Sequence, residues 1–155
     1  GLNIYLEYKN FDLTMFWQGV QGVDVISDLK KETDLWSGLN IGFLNKGKRV
    51  LDAWSPTNPD SDIPALSRDD VNNEKRVSTY FVENGSFLKL RNLQIGYNVP
   101  QNFAKKMKME RLRLYLSAQN LLTIKSKDFT GVDPENPNYG YPIPLNLTFG
   151  INVSF

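Results

Sequence analysis

The stretch Ile143-Pro144-Leu145-Asn146-Leu147-Thr148-Phe149-Gly150-Ile151-Asn152-Val153-Ser154-Phe155 alternates without a break from Leu145 onward. Leu145, Leu147, Phe149, Ile151, Val153 and Phe155 fall on one side of an extended chain. Asn146, Thr148, Gly150, Asn152 and Ser154 fall on the other, because successive side chains of a strand point to opposite faces. Wound as a helix, the same residues would scatter their apolar groups around the whole circumference. The stretch therefore reads as a β-strand with one apolar and one polar face.

The same period recurs upstream. Leu112, Leu114, Leu116 and Ala118 oppose Arg111, Arg113, Tyr115, Ser117 and Gln119, and Leu93, Ile95, Tyr97 and Val99 oppose Asn92, Gln94, Gly96 and Asn98. That second strand is expected to begin near Ser86, with a slip of register between Leu90 and Leu93. Residues 2–8 and 11–18 alternate as well, separated only by Lys9-Asn10, and so predict a hairpin. The connections alternate in size: 9–10 is short, 20–85 very long, 100–110 short and 120–142 long. Within 20–85 a short helix is expected around Asp24–Trp36, followed by turn-rich sequence. Residues 100–110 have room for one helical turn after Pro100.

Composition narrows the chemistry. Formal net charge is +1, from 18 basic and 17 acidic side chains, which gives no global field to draw in nucleic acid. Cysteine and histidine are both absent. Disulfides, thiolate metal sites, cysteine nucleophiles and the usual general base near neutral pH are thereby excluded, and no cofactor is expected. No run of A, V, I, L, M, F, W, Y or C exceeds three residues, whereas a spanning helix needs about 20. Gly1 leads directly into a strand pattern instead of a signal peptide, so the expectation is a mature product or a piece of a longer chain.

The predicted fold is all-β, an antiparallel transmembrane β-barrel. Outer-membrane barrels join alternating strands by short periplasmic turns and longer extracellular loops. With the final strand ending in the periplasm, residues 9–10 and 100–110 fall there and residues 20–85 and 120–142 outside. Tyr8, Phe11, Tyr97 and Phe155 then mark the turn-side interface, and Trp17 the loop side. Five strands fall short of the roughly 8 that close a barrel, so the chain is expected to be part of something larger. The competing reading is a soluble β-sandwich acting as a carbohydrate-binding module. It fits less well, because sandwich strands follow one another at regular short spacing.

Three longer stretches add a resemblance. Arg49-Val50-Leu51-Asp52-Ala53-Trp54-Ser55-Pro56-Thr57-Asn58-Pro59 is one, and Phe81-Val82-Glu83-Asn84-Gly85-Ser86-Phe87-Leu88-Lys89-Leu90-Arg91-Asn92-Leu93, running into Gln94-Ile95-Gly96-Tyr97, is the second. The third comprises Ala118-Gln119-Asn120-Leu121-Leu122-Thr123, Gly131-Val132-Asp133-Pro134-Glu135 and the ending from Tyr141-Pro142 to Phe155. In this order they resemble the C-terminal barrel region of SusC/RagA-family TonB-linked outer-membrane transporters, although Val132 stands where that family often carries an aromatic. The resemblance implies the last five or so strands of a barrel of about 22 strands with a plugged lumen. The plug and the TonB-engaging part are not in these 155 residues.

The same resemblance implies uptake of oligosaccharide or peptide, a bacterial outer-membrane location, and a SusD-like surface lipoprotein as lid. TonB would act through the missing N-terminal part. The resemblance also makes the barrel assembly machinery a partner, reading Phe149, Ile151, Val153 and Phe155 as its signal, and outer-membrane lipid a second. Glu7, Asp12, Arg111 and Arg113 lie on the polar face and are candidates for lumen or plug contact. Trp36, Trp54, Tyr139 and Tyr141 lie in the outer loops and are candidates for contact with substrate or lid protein. Asp60, Asp62, Asp69 and Asp70 lack the ordered spacing of a calcium loop and are expected to be solvated. An enzyme would have to rest on paired carboxylates, for instance among the loop aspartates acting as a glycosidase, and nothing else supports one.

Overall fold

The alternating segments form one antiparallel sheet in the computed structural model, which describes residues 1–35, 45–67, 69, 73–74, 76–137 and 140–155. The sheet contains β1 (Leu2–Tyr8), β2 (Phe11–Val20), β5 (Phe87–Asn98), β6 (Arg111–Lys125) and β7 (Asn146–Ser154), each strand beside the next in that order. Between β2 and β5 the chain forms β3 (Asp24–Ile26), α1 (Asp28–Asp34) and β4 (Val82–Asn84). A second helix, α2 (Gln101–Lys106), joins β5 to β6.

Register carries the sequence pattern across the whole sheet. Leu6 pairs with Leu13, Leu13 with Ile95, Ile95 with Leu116 and Leu116 with Phe149, giving one apolar row. One residue along, Glu7, Asp12, Gly96, Tyr115 and Gly150 form a polar row. A slip of one position in any strand would exchange the two faces, so the alternation itself specifies the pairing. The apolar row stays open: Ile95, Leu116 and Phe149 remain 45 %, 51 % and 67 % exposed. A soluble sandwich would cover this face with a second sheet, and among the described residues none does.

The expected slip between Leu90 and Leu93 is a β-bulge. β2 pairs Phe16 with Asn92 and Trp17 with Leu90, which leaves Arg91 as the extra residue. On the other side Leu90 pairs with Leu122 and Asn92 with Gln119, and Asn120 takes a positive φ of 55°. Arg91 donates to Gln18 Oε1 at 2.9 Å and to Asn120 Oδ1 at 3.3 Å, so both neighbouring strands are tied to the bulge.

Several boundaries differ from the expectation. β6 runs on to Lys125 instead of stopping near Gln119, because the left-handed Asn120 breaks the period without ending the strand. β7 begins at Asn146 rather than near Ile143, since Pro144 has no N–H to give to a ladder. The helix expected over Asp24–Trp36 is limited to Asp28–Asp34 and starts at Ser27, whose hydroxyl caps the Lys30 N–H; Asp24–Ile26 pairs instead with β4.

The long connections are also more ordered than a linker. Residues 23–85 and 127–141 make a compact unit distinct from the sheet unit. Leu35, Val50, Ile63, Phe81 and Phe129 are buried within it. Buried charges hold the irregular backbone. Asp34 accepts from the Tyr80 hydroxyl at 2.8 Å and pairs with Arg49 at 3.1 Å. Burial first, and then that hydrogen bond, hold the Tyr80 phenol above its ordinary range, so it stays a protonated donor at any physiological pH. Glu83 pairs with Lys30 at 3.2 Å and accepts from the Thr130 N–H and hydroxyl at 3.0 and 2.7 Å.

Candidate functional site

The polar face of the sheet gathers charge at its turn-side end. Asp12 on β2 and Arg113 on β6 reach each other across β5, whose Gly96 stands opposite Asp12 and whose Asn98 stands opposite Arg113. Arg113 donates from Nε to Asp12 Oδ2 at 3.1 Å and from Nη2 to Oδ1 at 2.5 Å, the two-pronged geometry that suits a guanidinium and a carboxylate. Asn98 Nδ2 also donates to Asp12 Oδ2 at 3.3 Å, and Arg111 Nη2 donates to Asn98 Oδ1 at 3.3 Å. Beside them the Tyr5 hydroxyl donates to Glu7 Oε2 at 3.2 Å. These six residues line an open groove of about 600 Å³.

Two glycines make room for this arrangement. A Cβ at Gly96 would collide with both the Asp12 carboxylate and the Arg113 guanidinium, and one at Gly150 would collide with the Tyr115 ring. Tyr115 in turn lies 5.6 Å from the Arg113 guanidinium carbon, within range of a cation–π contact. Gly96→Ala in the full-length protein is therefore expected to cost about 2 kcal/mol by overpacking. The shift in urea midpoint of the folded form measures it. With Asp12→Ala also present the Arg113 guanidinium loses its partner and can swing away from the added methyl, so the costs of the two changes should not add. An equal cost of Gly96→Ala with and without Asp12 would show that the ion pair is not what excludes a side chain.

The structure thus brings Glu7, Asp12, Arg111 and Arg113 into one groove. Sequence reasoning passed over Tyr5, Gly96 and Asn98. The available signal was a glycine at a polar-face position flanked by charged strands. The outer-loop candidates are more scattered. Trp54 is half-exposed and Tyr141 almost fully so, while Trp36 and Tyr139 lie outside the described residues. Phe149, Ile151 and Val153 are exposed on the apolar face of β7, and Phe155 follows that strand. Asp70 lies outside the described residues, and among the described ones no group of three or more acidic side chains is placed to hold a metal ion. The groove offers hydrogen bonds and paired charge along a wall, which suits contact with a polar surface.

No protein-family model matches the chain. Among curated proteins it is similar over its whole length to TonB-dependent receptor P3 of Formosa agariphila, at 37 % identity over 171 aligned positions covering 16 % of that receptor. It is also similar to TonB-dependent receptor SusC of Bacteroides thetaiotaomicron, at 29 % identity and 15 % of that protein's length. Among solved structures it superposes on the RagAB peptide transporter with a TM-score of 0.77 and 33 % identity, covering 96 % of this chain and 16 % of that one. The chain spans about one sixth of the relatives it matches. Its antiparallel sheet matches part of a barrel, and over its whole length the chain is similar to a segment of TonB-dependent receptors of the SusC/RagA kind.

Proposed function

We propose that this segment forms part of the wall of a bacterial outer-membrane importer that takes up oligosaccharides or peptides, drawing energy through TonB at residues outside this chain. The observation that carries the reading is the two-faced single sheet, one side an exposed apolar row and the other a row of paired charge. A closed barrel places the first side against lipid and the second toward the lumen, and leaves no backbone group unpaired in hydrocarbon. SusC and RagAB support transport as the activity and argue against catalysis. RagAB is described as a peptide transporter, which supports peptides as one substrate class.

In this reading Glu7, Asp12, Arg111 and Arg113 face the lumen and meet the plug or the substrate path. Trp54 and Tyr141 face the outside, where a SusD-like lipoprotein would close over the barrel. The short connections face the periplasm. Single cysteines at Asn45 and Lys106 of the full-length protein, treated on intact cells with a membrane-impermeant thiol reagent, are expected to label only at position 45. Labelling at 106 alone would overturn the orientation. Deleting the gene should abolish growth on the imported oligosaccharide or peptide, and so should deleting TonB; growth that survives loss of TonB would overturn TonB-driven import.

A further inference from the structure

The connection between β5 and β6 carries charge that barrel closure does not use. Residues 105–111 hold Lys105, Lys106, Lys108 and Arg111 against the single acid Glu110, in a chain whose net charge is only +1. Among the described residues none of the four makes an ion pair with an acidic side chain. Arg111 donates to an amide oxygen and Lys106 lies 5.6 Å from the Phe103 ring. Lys105, Lys106 and Lys108 are all exposed, on α2 and the turn that follows it.

Apolar groups adjoin these cations. Ala104 anchors α2 by its burial, whereas Phe103 and Met107 stand out 61 % and 48 % exposed. β6 and β7 continue from this turn with the apolar pair Leu112 and Val153, the turn-side end of the exposed apolar face. Cations with no acid partner beside outward apolar side chains, at the rim of a lipid-facing surface, match an interfacial lipid: phosphate for the lysines and acyl chain for the phenyl ring.

We propose that the β5–β6 turn binds the head group of an anionic phospholipid in the periplasmic leaflet, with Lys105, Lys106 and Lys108 around the phosphate and Phe103 and Met107 against the acyl chains. The proposal rests on the membrane-spanning reading and the orientation given above. A soluble anion would leave the apolar neighbours without purpose.

The test uses the full-length protein in mild detergent, titrated with phosphatidylglycerol or phosphatidylcholine and followed by native mass spectrometry. Wild type is expected to take up phosphatidylglycerol about tenfold more tightly than phosphatidylcholine. K105Q/K106Q/K108Q is expected to lose about that factor for phosphatidylglycerol alone, since each near-surface cation contributes severalfold to binding an anionic lipid. Phe103→Ser should weaken both lipids. Undiminished phosphatidylglycerol binding by the triple variant would overturn the proposal, and so would full displacement by millimolar inorganic phosphate or by an acidic peptide. The heat-modifiable band, scored in parallel, reports the barrel itself. A wild-type protein without that band would refute the membrane-spanning reading, and this proposal with it. A normal band beside unselective lipid binding would refute the head-group site alone.

Discussion

Glu83→Ala is expected to loosen the attachment of residues 127–141 by about 3 kcal/mol, because removing one member of a buried pair leaves the other charge without its partner. Only 1 % of the Glu83 side chain is exposed, and the carboxylate serves the Lys30 ammonium, the Thr130 hydroxyl and the Thr130 N–H together. Alanine would leave the two Thr130 donors without their acceptor, while the Lys30 ammonium would keep only the Tyr80 oxygen at 2.9 Å. The Thr130 amide in the full-length protein should then exchange with deuterium on the order of a hundredfold faster, at about 1.4 kcal/mol per factor of ten. Amides of β5 and β6 should keep their protection. Glu83→Gln should fall between the two, since its amide NH₂ must face one of the three donors. Unchanged exchange at Thr130 in Glu83→Ala would mean that Phe129, not the carboxylate, holds this segment.

Phe81→Ala is expected to cost about 3–5 kcal/mol within the loop unit, the range for deleting a fully buried aromatic ring. Phe81 is 1 % exposed and meets Tyr80 edge-on, with centroids 5.2 Å apart and planes at 86°. Its backbone oxygen accepts the Ser27 N–H at 2.8 Å, so a cavity here also disturbs the start of α1. Trypsin cleavage at Lys30, Lys31 and Arg49 in the folded full-length protein should become fast, while the heat-modifiable band persists. Cleavage as slow as in wild type would place the stability of this unit elsewhere.

The sheet was legible because its information is periodic. Every second side chain from Leu145 to Phe155 repeats the same choice, and the same choice recurs in four earlier strands, so even the bulge at Arg91 shows as a break in rhythm. The loop unit has no period to read. Asp34, Arg49 and Tyr80 meet across 46 positions of chain, and nothing in their spacing says so. Some stretches were recognisable by resemblance without a physical reason, and the structure supplies one. Phe81 and Glu83 are buried anchors, and Asp133 accepts the Glu135 N–H at 2.9 Å to fix a turn. The groove was half legible: its charged members stood on the polar face in the sequence, but the pairing of Asp12 with Arg113 depends on the empty space above Gly96.

The loop unit is discontinuous in the chain, which leaves it at Gly85 and returns at Lys127. Joining two separate peptides at Glu83 and Thr130 would carry a large entropic cost. Here the β5–β6 hairpin removes most of it: the Ser126 N–H donates to the Ser86 oxygen at 3.1 Å, so both pieces start from the same point. Each loop therefore sees the other at a high effective concentration, of the millimolar order reached with short tethers, before any contact between them forms. A handful of buried polar contacts is then enough to hold them together, and the loop sequences can diverge widely so long as the hairpin beneath them keeps its register.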